Sequence, residues 1–555
     1  MKNILTTGLL VLAAAAMAVQ GCETAPEETS AQSVTPAAGP SPGRTRESAT
    51  RTVPMEFHTA LRFVPGPTQG GLEHLRPPSA PLDREAYQHL ADNPVKRAAE
   101  APVSTFSVDV DTGAYANTRR FLDGGLLPPQ DAVRVEELIN YFSYDYPGPA
   151  DSQRPFEVTT EVAATPWNPD TYLLHIGIKG YEVPRADRPP ANLVFLVDVS
   201  GSMSPPDKLP LLVKALRLLT RELTAEDRVS IAVYAGAAGA VLEPTPGDET
   251  RKIAAALGQL SAGGSTAGAS GIRLAYDMAQ EAFIEGGINR VILATDGDFN
   301  VGVADVEALK DLIERRRDGG ITLTTLGFGT GNYNEALMEQ IADVGNGNYA
   351  YIDSLKEARK VLVTELSSTL HTIAKDVKVQ IEFNPAVVAE YRLIGYENRV
   401  LRREDFRNDK VDAGDIGAGH TVTALYEIAL AGGKGERLDP LRYGEQAVAE
   451  EVAPDSEFAF LKLRYKLPEE DTSRLIEVPL AGAMLEDAPN RPSEAFRFAA
   501  SVAAFGQLLR GGTYTGSFAY ADVEALARDA RGLDANGYRS EFLSLVQLAG
   551  SLNGS

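Results

Sequence analysis

Residues 192–202 read Asn-Leu-Val-Phe-Leu-Val-Asp-Val-Ser-Gly-Ser, a charge-free apolar run that ends in a cluster of oxygen-bearing side chains. The run 193–197 lacks polar alternation, which is typical of a parallel strand covered by helices on both faces. Open α/β sheets bind ligands at the carboxyl edge of such strands. Here that edge offers the carboxylate of Asp198 and the hydroxyls of Ser200 and Ser202. These hard oxygen donors suit Mg²⁺, with Mn²⁺ or Ca²⁺ as alternatives.

Two later segments offer the further ligands that a six-coordinate ion requires. Residues 263–266, Gly-Gly-Ser-Thr, precede a helical stretch and set the hydroxyl of Thr266 in a loop of the strand-to-helix type. Residues 291–297 form a second uncharged strand pattern that ends in Asp296 and a glycine. Because the carboxyl ends of parallel strands meet at one edge of a sheet, we expect Asp198 and Asp296 to lie close together.

In order and setting, these residues resemble the metal-ion-dependent adhesion site of von Willebrand factor type A (VWA) domains. The resemblance implies that Ser200 and Ser202 coordinate Mg²⁺ directly and that Thr266 does so directly or through water. Asp198 and Asp296 would act largely through water, and one coordination position would stay open for a partner's carboxylate. The alternative is that Asp198 and Ser200 only cap a helix and turn the chain, but capping does not account for three matching segments.

The electrostatics of this ligand set favour protein binding. Neutral hydroxyls leave a dication under-neutralised, so an Asp or Glu of a protein partner is attracted to it. An envelope hydrolase that uses the ion as a Lewis acid is the alternative function. It would need a general base or nucleophile near the metal, and neither a G-x-S-x-G nor an H-E-x-x-H motif occurs in the sequence. We therefore expect an adhesion or scaffold protein rather than an enzyme.

Composition excludes other classes of protein. A length of 555 residues indicates several domains, and a hydrophobic content of 44% is ample for buried cores. The formal charge of −23, without a long Lys/Arg run, argues against a nucleic-acid-binding surface. The 6 histidines show no zinc-ligand spacing.

The N-terminus predicts export. Residues 1–22 begin with a lysine-bearing tripeptide and continue into an apolar stretch that is too short for a good membrane span, as in a secretory signal. The chain's single cysteine, Cys22, ends the sequence Val-Gln-Gly-Cys, which resembles the lipobox of bacterial lipoproteins. The resemblance implies a lipid anchor at Cys22 and a location at the membrane of the bacterial envelope, facing the periplasm or the cell surface. An ordinary cleaved signal with an incidental cysteine is the alternative.

The rest of the chain divides by pattern. Residues 23–100 are rich in Pro, Ser, Thr and Ala, and we expect a disordered tether. Residues 101–188 mix strand and helix patterns as an α+β region. Residues 189–373 alternate helices and strands, which predicts an α/β fold with a doubly wound, mostly parallel, Rossmann-like sheet. Residues 374–490 alternate apolar and polar side chains as an antiparallel sheet does, and residues 491–555 are helical.

Residues 106–122, together with this chain order, resemble the N-terminal region of a family of bacterial envelope VWA proteins, and the C-terminal region resembles that family too. Within this stretch, Asp109 and Asp111 have the spacing of a calcium loop. Arg120 stands where an EF-hand requires Glu, so a capped strand-to-helix turn is favoured over an EF-hand.

A last helix, from residue 354 to about residue 373, is expected to close the VWA domain. In related domains this helix shifts when the metal site takes a ligand. Because a strand pattern at residues 377–383 follows directly, we expect ligand binding at the metal site to alter the structure of the C-terminal region.

Overall fold

The computed structural model describes residue 85 and residues 87–554, apart from residues 151–152, 236, 265–267, 298–302, 332, 366–367, 369, 412, 440, 443–452, 454 and 489–490. All of these residues belong to one compact unit, Pro77–Ser555. The expected signal peptide with Cys22, and the expected tether up to residue 84, lie outside the described residues.

The described residues before the central sheet form strands, helices and short 3₁₀ turns. The elements are β1 Lys96–Arg97, β2 Val103–Ser107, α1 Gly113–Asp123, a 3₁₀ turn Gln130–Ala132, α2 Val135–Asn140, β3 Phe156–Thr165, β4 Asn168–Gly180 and a 3₁₀ turn Arg185–Asp187. Strand β1 lies within residues 23–100, the segment predicted to be a tether, and it is held by distant partners. The guanidinium of Arg97, for example, pairs with the carboxylate of Glu390.

The central part of the chain alternates strands and helices as the sequence predicts. The elements are β5 Ala191–Asp198, a 3₁₀ turn Gly201–Met203, α3 Leu209–Leu219, β6 Arg228–Tyr234, β7 Ala238–Pro246, α4 Thr250–Leu257, α5 Gly268–Glu281, β8 Ile288–Thr295, α6 Val303–Asp318, β9 Thr322–Phe328, α7 Glu335–Val344, β10 Tyr349–Ile352 and α8 Leu355–Arg359. The sheet order is β10-β9-β8-β5-β6-β7, and all neighbours are parallel except the antiparallel pair β6 and β7. The predicted doubly wound, mostly parallel α/β fold is confirmed.

Strand β5 is buried on both faces, which explains its uninterrupted apolar sequence. Leu193, Phe195 and Val197 belong to a core shared with α3, whereas Val194 and Leu196 belong to a core shared with α5. Successive side chains of a strand point to opposite faces, so one short apolar run supplies both cores. The carboxyl end of β5 is therefore fixed between two packed layers of helices.

The C-terminal part adds strands and then helices. The elements are β11 Thr372–Phe383, β12 Val388–Ile394, a 3₁₀ turn Arg403–Arg407, β13 Ile416–Gly417, β14 Thr421–Leu430, β15 Glu457–Lys466, β16 Arg474–Ala481, α9 Ala483–Glu486, α10 Glu494–Leu509, α11 Tyr520–Asp529 and α12 Tyr538–Asn553. Ser493 caps α10, since its side chain accepts a hydrogen bond from the Phe496 N–H. None of the helices in the described ranges has the length and apolarity needed to cross a membrane.

Strands from before and after the central domain pair in two antiparallel sheets. One sheet has the order β1-β12-β14-β4-β3, and the other has the order β13-β11-β15-β16 with β2 also paired to β11. The two sheets share a core that includes Phe106, Leu174, Val379 and Leu461. The central domain is thus inserted between two halves of one β structure, a relationship that the order of regions along the sequence does not reveal.

The closing helix is shorter than predicted. Helix α8 is followed by a turn of π-helix, Lys360–Thr364, and β11 already begins at Thr372. The Ser354 hydroxyl caps α8 by accepting a hydrogen bond from the Glu357 N–H. Twelve residues therefore separate the end of α8 at Arg359 from the start of β11 at Thr372.

Candidate metal centre

Asp198 and Asp296 lie at the same edge of the central sheet. Asp198 is the last residue of β5, and Asp296 follows the last residue of β8, the parallel neighbour of β5. Residues Val197 and Ala294 are register partners, which brings the two chain ends level. Both aspartates are fully buried.

The Asp198 carboxylate is held by hydrogen bonds to both oxygens. Its Oδ1 accepts from the Ser200 N–H at 2.8 Å, and its Oδ2 accepts from the Thr295 hydroxyl at 2.9 Å and the Tyr234 hydroxyl at 3.2 Å. Burial raises the pKa of the Asp198 carboxyl and the nearby charge of Asp296 raises it further, whereas the hydrogen bonds from Ser200 lower it. An additional positive charge at this edge would therefore stabilise the ionised pair.

The two serine hydroxyls lie side by side. Ser200 Oγ and Ser202 Oγ are 2.9 Å apart. Ser200 is buried and Ser202 is half-buried, so the hydroxyl pair is at the border between the buried carboxylates and solvent. The loop after β5 thus presents the predicted oxygens in one group.

The third predicted segment approaches the same loop. Gly264 accepts a hydrogen bond through its carbonyl oxygen from the Gly201 N–H at 3.2 Å, and the Gly263 N–H donates to the Val199 carbonyl oxygen at 2.7 Å. Thr266 itself lies outside the described residues. The structure therefore brings together Asp198, Ser200, Ser202 and Asp296. Gly264, which lies two residues before Thr266 in the sequence, contacts the same loop.

Gly297 is required by the backbone beside Asp296. Its φ is +84°, and a Cβ at this position would lie 2.6 Å from the Asn334 backbone nitrogen. Only glycine combines this conformation with such a close approach. The Asp-Gly pair at the end of β8 is thus a structural unit, in which Gly297 lets the chain turn away directly after the carboxylate.

Three side chains that contact the two aspartates were not predicted from the sequence. The Lys208 ammonium lies 2.8 Å from Asp296 Oδ2, and Tyr234 and Thr295 donate to Asp198. The position of Tyr234 could have been predicted from the strand pattern. Tyr234 ends β6, the strand next to β5, at the same sheet edge and is the register partner of Asp198. Lys208 could not have been predicted in this way, since it lies in the connection between the loop after β5 and α3.

A second acidic group lies around Asp109 and Asp111. Carboxylate oxygens of Asp109, Asp111 and Glu339 lie within 4.8 Å of one another, but the Arg399 guanidinium already contacts all three at 3.1–3.3 Å. Asp109 Oδ1 accepts a hydrogen bond from the Asp111 N–H at 2.9 Å, which forms the expected turn between β2 and α1. The capping carboxylate comes from Glu137 of α2, which accepts from the Ala114 N–H at 2.8 Å.

Three family models match the chain. The model for the von Willebrand factor type A domain matches residues 192–364, which include the site at Asp198. A model described as von Willebrand factor matches residues 81–175, and one described as uncharacterized protein YfbK, C-terminal, matches residues 368–552.

The chain is also similar to individual proteins. The chain is 49% identical to the uncharacterized protein YfbK of Escherichia coli (strain K12) over 469 residues, which cover 83% of this chain and 80% of YfbK. It is 28% identical to inter-alpha-trypsin inhibitor heavy chain H4 of Homo sapiens over 169 residues, which cover 29% of this chain and 18% of that protein. A solved structure of a von Willebrand factor type A protein from Catenulispora acidiphila is 15% identical, covers 69% of this chain and 88% of its own, and gives a TM-score of 0.38.

Proposed function

The chain belongs to the YfbK family of proteins with a von Willebrand factor type A domain, and we propose that it binds a protein partner through a divalent cation at the bacterial envelope. One observation carries the proposal. The buried carboxylates of Asp198 and Asp296 end adjacent parallel strands beside the paired hydroxyls of Ser200 and Ser202. All four side chains offer hard oxygens, the donors that Mg²⁺ takes in proteins.

The spacing of the two hydroxyls supports a small ion. Oxygen ligands about 2.1 Å from Mg²⁺ in an octahedral shell lie about 3 Å from their neighbours in that shell. Ser200 Oγ and Ser202 Oγ are 2.9 Å apart, so they suit two adjacent positions of one shell. Thr266, which follows the Gly263-Gly264 contact to the loop, would supply another hydroxyl. Mn²⁺ and Ca²⁺ remain the alternatives to Mg²⁺, and Ca²⁺ would require a wider spacing.

The charge of the ligand set supports an acidic partner. The two carboxylates lie on the buried side of the site and the hydroxyls are neutral, so the ion presents positive charge toward the solvent side of the loop, where Ser202 is half-buried. A carboxylate of an Asp or Glu is the protein group that such an ion attracts most strongly. The bound ion would supply the electrostatic link, and the residues around the loop would select the partner.

The sequence supports a membrane tether for this binding domain. Acylation of Cys22 would anchor the chain, and residues 23 to about 84 would let the folded part stand away from the lipid surface. Cell fractionation tests the anchor, since Cys22→Ala should move the protein from the membrane fraction to the soluble fraction. Retention of the variant in the membrane fraction would remove the anchor from the proposal.

Calorimetry with Mg²⁺ tests the ion site. The wild-type protein should bind Mg²⁺, and Asp198→Ala should lose the binding, because it removes the carboxylate that orients Ser200. Asp207→Ala is the matched control, since Asp207 is an exposed aspartate of the same loop. Equal Mg²⁺ binding by wild type and Asp198→Ala would refute the site.

An affinity experiment tests the partner. Wild-type protein and Thr266→Ala are used to capture proteins from bacterial membranes with and without a chelator. The proposal predicts that the proteins captured by the wild type depend on the ion and are lost with Thr266→Ala. Recovery of the same proteins in chelator would contradict metal-dependent binding, and metal-dependent turnover of phosphoesters or peptides would instead support the hydrolase.

A further inference from the structure

Lys208 places a positively charged side chain beside the candidate metal centre. Lys208 Nζ lies 2.8 Å from Asp296 Oδ2, and the lysine side chain is 6% exposed while the aspartate side chain is fully buried. A buried lysine and a buried carboxylate at this distance form a charge-assisted hydrogen bond. The lysine therefore stands within the electrostatic range of any ion held by Asp198 and Asp296.

The fold holds Lys208 in this position. The Lys208 N–H donates to the Pro205 carbonyl oxygen at 3.0 Å, and the Lys208 carbonyl oxygen accepts from the Leu212 N–H at 2.9 Å as α3 begins. The aliphatic stem passes over Gly329, where φ is +73° and where an added Cβ would collide with the lysine Cγ, Cδ and Cε. Gly329 thus leaves a slot that directs the ammonium toward Asp296.

Formal charges indicate what this ammonium does. Asp198, Asp296 and Lys208 together carry a formal charge of −1, and a dication changes the sum for these groups to +1. One carboxylate from a partner then brings the sum to zero. Without Lys208 the ion-loaded site would be neutral before the partner arrives, and the partner would make it negative. Lys208 therefore opposes the ion alone and favours the ion together with a carboxylate.

We propose that Lys208 couples ion binding to partner binding, by weakening the affinity of the site for the ion alone and strengthening its affinity for an acidic ligand once the ion is bound. This inference rests on the proposed function of the same site. Lys208 is a positioning residue in this scheme, because it acts through Asp296 and through the charge of the site rather than by touching the partner. The partner it favours carries one carboxylate at the point of contact.

Calorimetry on the full chain tests the coupling. Lys208→Met keeps the length of the stem and removes the charge, and it should bind Mg²⁺ at least about tenfold more tightly than the wild type, the ratio that corresponds to about 1.4 kcal/mol. Lys214→Met is the matched control, since Lys214 is an exposed lysine on α3, and it should leave the dissociation constant unchanged. Acetate is the simplest carboxylate ligand. At a saturating concentration it should reduce the difference in Mg²⁺ dissociation constant between Lys208→Met and the wild type.

Several results would overturn the inference. Equal or weaker Mg²⁺ binding by a folded Lys208→Met protein contradicts it, and so does a difference that acetate leaves unchanged. Where Lys208→Met does not fold, Lys208→Gln replaces it, since glutamine keeps a polar end group without the charge. It should also bind Mg²⁺ more tightly than the wild type, and an unchanged dissociation constant contradicts the inference.

The outcome also separates this inference from the proposed function. If the wild type binds Mg²⁺, Asp198→Ala does not, and Lys208→Met matches the wild type, then only the role of Lys208 is wrong. If the wild type and Asp198→Ala bind Mg²⁺ equally or not at all, the proposed ion site is contradicted, and the proposed role of Lys208 is contradicted as well.

Discussion

Arg119 Nη2 lies 2.7 Å from Glu357 Oε2, and this ion pair joins the flanking region to the last helix of the central domain. Arg119 belongs to α1 and Glu357 to α8, and their side chains are 4% and 1% exposed. The same guanidinium contacts Asp353 at 2.6 Å and Glu541 of α12 at 2.7 Å. One buried cation therefore connects three parts of the chain that lie far apart in sequence.

Arg119→Met should destabilise the protein by about 3–5 kcal/mol, because it leaves the buried carboxylate of Glu357 without its cation. Burial raises the pKa of Glu357 and Arg119 lowers it, so the stability of the variant should fall more steeply than that of the wild type as the pH rises. Urea unfolding of both proteins at several pH values measures the loss. Arg531→Met, at an exposed arginine, is the control and should change stability by less than about 0.5 kcal/mol. Equal stability of the Arg119 variant and the wild type would show that this junction does not hold the regions together.

Ion and ligand binding at the candidate metal centre should change hydrogen exchange in α8 and β11. Helix α3 begins directly after Lys208, and its Leu212 and Leu216 share a core with Ala358 and Val361 of the closing segment. Hydrogen exchange of residues 355–383 should therefore slow when Mg²⁺ and a carboxylate ligand are added, and Asp198→Ala should abolish the change. Exchange in α11, far along the chain, provides the internal reference. Identical exchange with and without the ion would limit the effect of binding to the loop itself.

Stability should fall as the pH rises through neutrality, because buried carboxyls of α7 resist ionisation. Burial raises the pKa of Glu335 from 4.5 to about 8 and that of Glu339 from 4.5 to about 7, although Arg134 and Arg399 lower them. The unfolded chain releases these protons near pH 4.5, whereas the folded chain keeps them until about pH 7–8. The native state is therefore favoured at low pH by these groups, and that contribution is lost between about pH 4.5 and about pH 8.

Urea midpoints measured across this pH range test the titration. Glu335→Gln removes the ionisation while keeping a side chain of similar size, so it should flatten the fall in stability. Glu404→Gln, at an exposed glutamate, is the control and should leave the pH profile unchanged. A wild-type profile that is flat over the range would contradict ionisation of the α7 carboxyls within it.

The sequence reveals the parts of the site that follow from strand patterns. Asp198 and Asp296 each end an uncharged run, and parallel pairing then fixes them at one edge. The pairing of β4 with β14 was not predictable, because their register depends on contacts between residues about 250 positions apart. Lys208 was not predictable either, because its direction depends on Gly329, which precedes α7 on another connection. Local pattern sets where a strand ends, whereas side chains that enter from distant loops depend on the assembled fold.

Gly329→Ala should reproduce the effect of removing the Lys208 charge. A Cβ at this position occupies the slot of the lysine stem, so the ammonium must leave Asp296, and Mg²⁺ binding should become tighter than in the wild type. The positive φ adds about 1–3 kcal/mol of destabilisation from backbone strain. Gly331→Ala separates the two effects, because Gly331 has φ +96° but an added Cβ there meets nothing within 4 Å. Thermal unfolding should therefore show a loss of stability in both variants. Calorimetry should show a lower Mg²⁺ dissociation constant only for Gly329→Ala. Equal dissociation constants for the two variants would mean that the ammonium beside Asp296 does not oppose binding of the ion.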